Sequence, residues 1–335
     1  MLDVQVHSFD YDGRLILKDI FFKVNKGEHI ALMGESGSGK STLLKIIYGL
    51  LHLKEGSIFW GEKQALGPNY NLVPGEPYMK YLSQDFDLMP FTTVEENIAE
   101  HLSVFTRETH ADRITELLEM IEMKDYAKTK VKNLSGGQQQ RIALAKVLAQ
   151  EPEVLLLDEP FGHIDNFKRN ALRYNLFPYL RNKGITVITA SHDPNDVLSY
   201  CDRILVIKDG KCLANHETQL LYQNPPNFYI ASLFGEVNQV PIRLLKSYAP
   251  LDTSVLIYPH EFKISKESGL KVEITKSQFR GSHFLVEGET KEGYSLRFNS
   301  NEEHDISSSV YLNISLETIN LRLKPKEAFW TKESS

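Results

Sequence analysis

One motif constrains this chain more than any other. Gly34-Glu35-Ser36-Gly37-Ser38-Gly39-Lys40-Ser41, followed by Thr42, has the spacing G-x-x-x-x-G-K-[ST]. An apolar run, Ile30 to Met33, leads into it, and Leu43, Leu44, Ile46 and Ile47 follow at helical spacing. A strand that turns through glycines into a helix lets backbone N–H groups curl round an anion, and the helix N-terminus adds partial positive charge. In that frame Lys40 reaches β- and γ-phosphates and the Ser41 hydroxyl ligates Mg²⁺. The bland alternative, a glycine- and serine-rich turn, does not explain the strand before it or the helix after it.

The surrounding chain alternates short apolar runs with helical stretches. Val4 to Val6, His29 to Met33, Tyr78 to Leu82, Val154 to Leu157, Thr186 to Thr189 and Ile204 to Ile207 read as buried strands. Helical periodicity predicts helices over Ser41 to Leu50, Thr93 to Phe105, Ala111 to Met120, Gly137 to Ala149 and Phe167 to Arg181, with Pro178 disturbing the last turn of the fifth. That is an α/β layout. After Pro225-Pro226 and Gly235 the helical period disappears, which sets a boundary between residues 1–235 and 236–335. Beyond it Val272 and Ile274, Leu296 and Phe298, and Val310, Leu312 and Ile314 alternate with polar residues, as in half-buried strands of a small barrel or sandwich.

Which phosphate chemistry this is depends on three other segments. Val154-Leu155-Leu156-Leu157-Asp158-Glu159 is an apolar strand ending in two carboxylates. That order puts Asp158 next to Mg²⁺ and Glu159 beside the γ-phosphate, where a base polarises water; without a phosphate loop, two solvated acids at a strand end would serve equally well. Leu134-Ser135-Gly136-Gly137-Gln138 opens a helix, with an N-cap serine and glycines that admit close approach of an anion. Alone it is an ordinary helix start, just as His192 alone is an ordinary strand-end histidine.

Together these residues are a set. Gly34 to Ser41, Gln84, Leu134 to Gln138, Asp158-Glu159, Asp165 and His192 follow the order and approximate spacing of the ATP-binding cassette (ABC) ATPases, and the resemblance covers at least residues 1–235. It implies a phosphate-loop cassette fold with a helical subdomain over about residues 85–150, and ATP and Mg²⁺ as cofactors. It implies a homodimer, in which each nucleotide lies between the phosphate loop of one subunit (Gly34, Glu35, Ser36, Gly37, Ser38, Gly39, Lys40, Ser41 and Thr42) and Ser135, Gly137 and Gln138 of the other. On the same likeness Gln84 reaches the metal and the attacking water, Ser41 and Asp158 hold the metal, Glu159 is the base, His192 holds the γ-phosphate and orients Glu159, and Asp165 crosses the dimer interface. An aromatic stacking on adenine is expected upstream, with Tyr11 the better match and Phe9 the second.

The stretch Gln84 to Ile98 resembles the region of bacterial importer ATPases that receives a coupling helix from a membrane permease. Leu88, Met89 and Phe91 are its apolar residues, equally consistent with docking or with burial in the protein's own core. Asn224 to Asn238 resembles the segment leaving the cassette in importers for sugars, polyamines, iron(III) and oxyanions, so residues 236–335 are expected to form their OB-like (TOBE) accessory domain. Three stretches depart from that pattern: Gly162-His163-Ile164 before Asp165, Tyr258-Pro259-His260-Glu261, and Gln64 to Pro77. An exporter ATPase is the main alternative. A soluble repair or chromosome-type cassette would need a long insertion between Ser41 and Leu134, for which there is no room.

Composition narrows the partners. With 38 Lys+Arg against 44 Asp+Glu and a formal net charge of −6, the chain lacks the basic excess that neutralises nucleic-acid phosphates, so no nucleic-acid partner is expected. Cys201 and Cys212 are too few for a disulfide framework and read as ordinary thiols of a reducing compartment. Met1 to His7 shows no leader pattern, and no apolar run approaches the ~20 residues that span a bilayer. The expected location is cytoplasmic, peripheral on the inner face of the membrane beside permease subunits, with a solute-binding protein setting selectivity.

Overall fold

The computed structural model of the chain describes residues 1–100, 102, 107–246 and 253–324, with backbone only at 107–109, and it divides into two compact units, Met1–Thr218 and Gln219–Ser335. In the first unit the strands are β1 (Leu2–Tyr11), β2 (Arg14–Val24), β3 (His29–Met33), β4 (Glu55–Trp60), β5 (Lys63–Gln64), β6 (Met79–Leu82), β7 (Val154–Asp158), β8 (Thr186–Ala190), β9 (Arg203–Lys208) and β10 (Lys211–Glu217). Its helices are α1 (Lys40–Tyr48), α2 (Val94–Ala99), α3 (Arg107–Met120), α4 (Gly136–Leu148), α5 (Asn166–Asn182) and α6 (Pro194–Leu198). One sheet has the order β10-β9-β3-β8-β7-β6 and is parallel except for β10; a second, antiparallel, has the order β2-β1-β4-β5.

Every residue of β3, β7 and β8 is buried, as expected of parallel strands covered on both faces. The pleat of β7 sorts its side chains by parity. Val154 and Leu156 pack with Leu43, Leu44 and Ile47 of α1 and with Val4 and Val6 of β1, whereas Leu155 and Leu157 pack with Ile142 of α4 and with Leu172 and Leu176 of α5. The central sheet therefore divides two cores, one under the antiparallel sheet and one under the helices.

The helices differ from their expected bounds for local reasons. α1 stops at Gly49, whose left-handed backbone returns its N–H to Ile46 O. α2 starts where expected, with Thr93 and Glu96 forming a capping box, but ends at Ala99; of the remainder of that predicted helix, 101 and 103–105 lie outside the described residues. α5 runs through Pro178 to Asn182. The antiparallel strands β2, β4 and β10 were not expected. In β2 the left-handed Asp19 (φ 52°) interrupts the alternation that would have signalled a strand.

The second unit holds α7 (Thr218–Gln223), whose first residue closes the first unit, then α8 (Phe228–Ser232), α9 (Ile242–Leu245), α10 (Leu316–Arg322) and strands β11 (Asn238–Pro241), β12 (Ser254–Ile257), β13 (Lys263–Ser265), β14 (Leu270–Phe279), β15 (Phe284–Thr290), β16 (Ser295–Ser300) and β17 (Ser309–Asn313). β11 pairs with β12, and the other five form an antiparallel sheet of order β13-β17-β14-β15-β16. Val272, Ile274, Leu296, Phe298 and Leu312 fill its core with Val240, Ile257 and Phe262. The division at Thr218 falls ahead of the compositional break at Gly235. The ring of Tyr222 stacks on Tyr258 at 4.8 Å and 7°, and Tyr258 Oη donates to Ala231 O, so α7 and α8 pack with the strands that follow them.

Candidate active site

The site is built on one end of the parallel sheet. Asp158 of β7 pairs with Ala190 of β8, and Ala190 with Leu32 of β3, so the chain leaves all three strands on the same level. Carboxyl ends of parallel strands are where α/β sheets receive ligands. Here they carry the phosphate loop, Asp158-Glu159 and Ser191-His192.

Gly34 turns the chain out of β3 at φ 150°, and a Cβ there would lie 2.1 Å from Ile207 O of β9, so only glycine fits. No side chain caps α1, which leaves the first N–H groups of the helix for an anion. Lys40 folds back over the loop and donates from Nζ to Gly34 O and Glu35 O, both at 2.8 Å. Burial lowers its pKa, while the carboxylates of Glu159 and Asp158 push it back up. Ser41 Oγ donates to Asp158 Oδ1 at 3.0 Å, and Tyr81 Oη to Asp158 Oδ2 at 3.1 Å. A hydroxyl and a carboxylate converging beside a phosphate loop are the hard oxygen donors that Mg²⁺ takes, so the residues present fit that ion.

Glu159 sits one residue beyond the strand, in the left-handed region at φ 50°. Such a backbone costs on the order of 1–3 kcal/mol in a non-glycine residue and persists only where its surroundings enforce it. The enforcement is visible: Glu159 N donates to Ala190 O at 2.9 Å, and Gln140 Nε2 of α4 donates to Glu159 O at 2.9 Å. Glu159 Oε1 then meets His192 Nδ1 at 2.8 Å. The carboxylate is mostly covered, at 22% exposure, while the imidazole stands out at 75%.

Ser135 caps α4 reciprocally with Gln138, each bonding the other's backbone N–H, and Ser135 is exposed. A Cβ on Gly137 would lie 2.7 Å from His163 O, because α4 runs against the segment after Glu159. Gln140 Oε1 accepts from His163 N at 2.9 Å, so this one side chain ties α4 to both ends of that segment. His163 is exposed and meets the ring of Phe86 edge-on at 5.3 Å. Asp165 is the exposed N-cap residue of α5. Gln84 lies exposed just past β6, the neighbour of β7. Tyr11 ends β1 with 43% of its surface exposed, whereas Phe9 is buried in the core beneath the antiparallel sheet.

The loop after Gln84 is partly buried in the protein's own core and partly exposed. Leu88 and Phe86 are half-buried against the helical core, while Phe91 is 71% exposed beneath the ammonium of Lys132. The buried amide of Asn97 pins the loop: it accepts from Met89 N and donates to Met89 O, Thr92 Oγ1 and Thr93 O. Both cysteines are free; burial pushes the Cys201 thiol up and that of Cys212 to about 11, which leaves them ordinary thiols. Tyr81, Gln140, Arg169 and Arg173 were not singled out from sequence. Only the two arginines carry a readable signal, their i, i+4 spacing on one helix face.

A phosphate loop, a hydroxyl and a carboxylate converging beside it, and a second carboxylate in contact with a histidine have the layout of a phosphate-loop nucleotide site. Residues 17–162 match the family described as ABC transporter. The dimeric ATP-binding cassette MJ0796, described as a bacterial ABC transporter cassette, is similar at 29% identity and TM-score 0.58 over 65% of this chain and 99% of its own. Its post-hydrolysis dimer bound to ADP and Pi is similar at 28% and 0.57 over the same shares. CbiO1 from Clostridium perfringens, part of the ABC transporter complex CbiONQ, matches at 27% and 0.57 over 66% of this chain and 90% of its own. This chain carries an ABC transporter ATPase domain, which binds ATP with Mg²⁺ and hydrolyses it. Among the described residues no helix is long and apolar enough to cross a membrane.

Proposed function

We propose that the chain is the ATP-hydrolysing subunit of a bacterial importer, acting as a head-to-tail homodimer on permease subunits at the inner face of the membrane. The observation that carries the proposal is the 2.8 Å contact between Glu159 Oε1 and His192 Nδ1, on the end of the sheet that also brings Ser41 to Asp158. Glu159 takes the proton of the attacking water, and His192 holds that carboxylate through Nδ1 while presenting Nε2 to the γ-phosphate. Lys40 exchanges its two carbonyl partners for phosphate oxygens. Ser41 and Asp158, with Gln84, would hold Mg²⁺, which would offset negative charge on the transferred phosphate. Tyr11 offers an exposed ring to adenine.

Ser135, Gly137 and Gln138 serve the nucleotide of the second subunit; the exposure of Ser135 and the dimeric state of MJ0796 support this. Phe91, together with the membership of CbiO1 in a transporter complex, supports permease docking beside Gln84. Import in particular, with a solute-binding protein upstream, rests on the small antiparallel unit after the cassette, which we read as the OB-like accessory domain. Glu159→Gln should keep ATP binding, lose turnover and accumulate a dimer in light scattering with saturating Mg-ATP. Hydrolysis at the wild-type rate would remove Glu159 as the base, and a persistent monomer would remove the two-subunit site. Uptake of solute into right-side-out vesicles, or its absence, separates import from export.

A further inference from the structure

Two segments must meet for Glu159 and His192 to pair: the turn after β7, residues 159–165, and the turn after β8, residues 191–196. The first is irregular, and the second runs through residues 191–193 into the first turn of α6. Both are gripped by one face of α5. Arg173, 4% exposed, donates from Nη2 to Asp193 Oδ2 at 2.6 Å, pairs with the buried Asp196, and lies with its guanidinium carbon 5.3 Å from the centroid of Phe161. Arg169, one turn earlier, donates from Nε and Nη2 to Ile164 O at 3.2 and 2.9 Å and from Nη1 to Asp193 Oδ2 at 3.4 Å. Asp193 follows His192 directly, caps α6, and accepts from both arginines; Asp196 also accepts from Ser191 Oγ at 2.6 Å.

We propose that Arg173, assisted by Arg169, is a positioning residue for ATP hydrolysis: it clamps the base-bearing and histidine-bearing turns to a single helix and so sets the separation of Glu159 and His192. The inference rests on the roles proposed above for those two residues. An i, i+4 pair presents two guanidinium forks to the same side of a helix, and planar forks hold carboxylate and carbonyl oxygens in fixed directions better than an ammonium does. A base displaced by a fraction of an ångström from its partner loses rate out of proportion to the movement.

The test is steady-state hydrolysis by the full chain, with thermal unfolding measured alongside. Arg173→Gln is expected to lower kcat about tenfold and leave KM for ATP within about twofold, because Arg173 is assigned no contact with nucleotide. Arg173→Lys, which keeps the charge and loses the fork, should recover part of that loss. Asp193→Asn keeps the N-cap and the shape but not the charge; it should lower kcat in a protein that still folds, since Asp196 remains on Arg173, and it carries the test if Arg173→Gln does not fold. Wild-type kcat in folded Asp193→Asn, or a raised KM at unchanged kcat in Arg173→Gln, overturns the clamp. His192→Ala tests the reading beneath it separately: wild-type turnover there removes the role of the histidine, whereas lost turnover there beside unaffected arginine and Asp193 variants removes only the clamp.

Discussion

Acid should weaken the N-terminal unit through His29, and the size of the effect follows from its surroundings. His29 lies in β3 with 0% exposure, and neither ring nitrogen has a hydrogen-bond partner among the described residues. Burial and the nearby Arg181 lower its pKa from 6.5 to about 4, against weaker opposing pulls from Asp202 and the carbonyls of Ile185 and Tyr200, neither of which closes a hydrogen bond to the ring. The unfolded chain therefore binds a proton that the folded chain refuses. Stability from this source is complete above pH 6.5 and is lost as the pH falls through 4, a loss of about 2 kcal/mol by pH 5 and about 3 kcal/mol in the limit. The assay is urea unfolding at pH 7 and pH 5. Trp60 is buried in the N-terminal unit, and with Trp330, the other tryptophan, changed to Phe, its fluorescence follows that unit alone. His29→Leu loses no hydrogen bond and cannot titrate, so it should lose about 2 kcal/mol less than wild type between the two pH values. Equal losses in the two proteins would refute the assignment.

Two further outcomes test the site and the loop. Gly137→Ala sets a helix gain of up to about 1 kcal/mol against overpacking of about 1–3 kcal/mol on His163 O; the melting temperature should hold or fall slightly while turnover drops severalfold, because the displaced segment is tied through Gln140 to Glu159. Leu88→Ser should lower stability by about 1–2 kcal/mol in thermal unfolding, whereas Phe91→Ser should leave stability and ATP affinity unchanged and reduce recovery of the permease on co-purification.

How much of this was readable in the sequence depended on distance along the chain. The phosphate loop is legible because strand, glycines, lysine and helix are contiguous, and the unbroken apolar run Val154 to Leu157 already reads as a buried strand. The family pattern picks out Glu159 and His192 one by one, but their contact needs the register of β7 on β8, which no local pattern carries. The arginine clamp was hidden for a similar reason: Arg173 reads as a surface residue until α5 is laid across the turns after β7 and β8. Strand β2 was missed because Asp19 breaks its alternation. The compositional break at Gly235 and the contact boundary at Thr218 differ because Tyr222 and Ala231 pack on Tyr258, a contact no local pattern carries.

The amide of Asn97 has a consequence for association. Its two N–H hydrogens, shared among three oxygens, and its Oδ1, which accepts from Met89 N, tie Met89 through Thr93 to α2 without a helix or a strand. Ordering a free loop costs about 1–2 kcal/mol per residue, and here that entropy is spent during folding. A partner meeting Phe91 meets a rigid knob, so binding should proceed without a slow ordering phase and with a heat-capacity change no larger than the apolar area of the contact itself requires. Asn97→Asp, which cannot donate, would move the same cost from folding to encounter, and the first sign of it would be a slower on-rate.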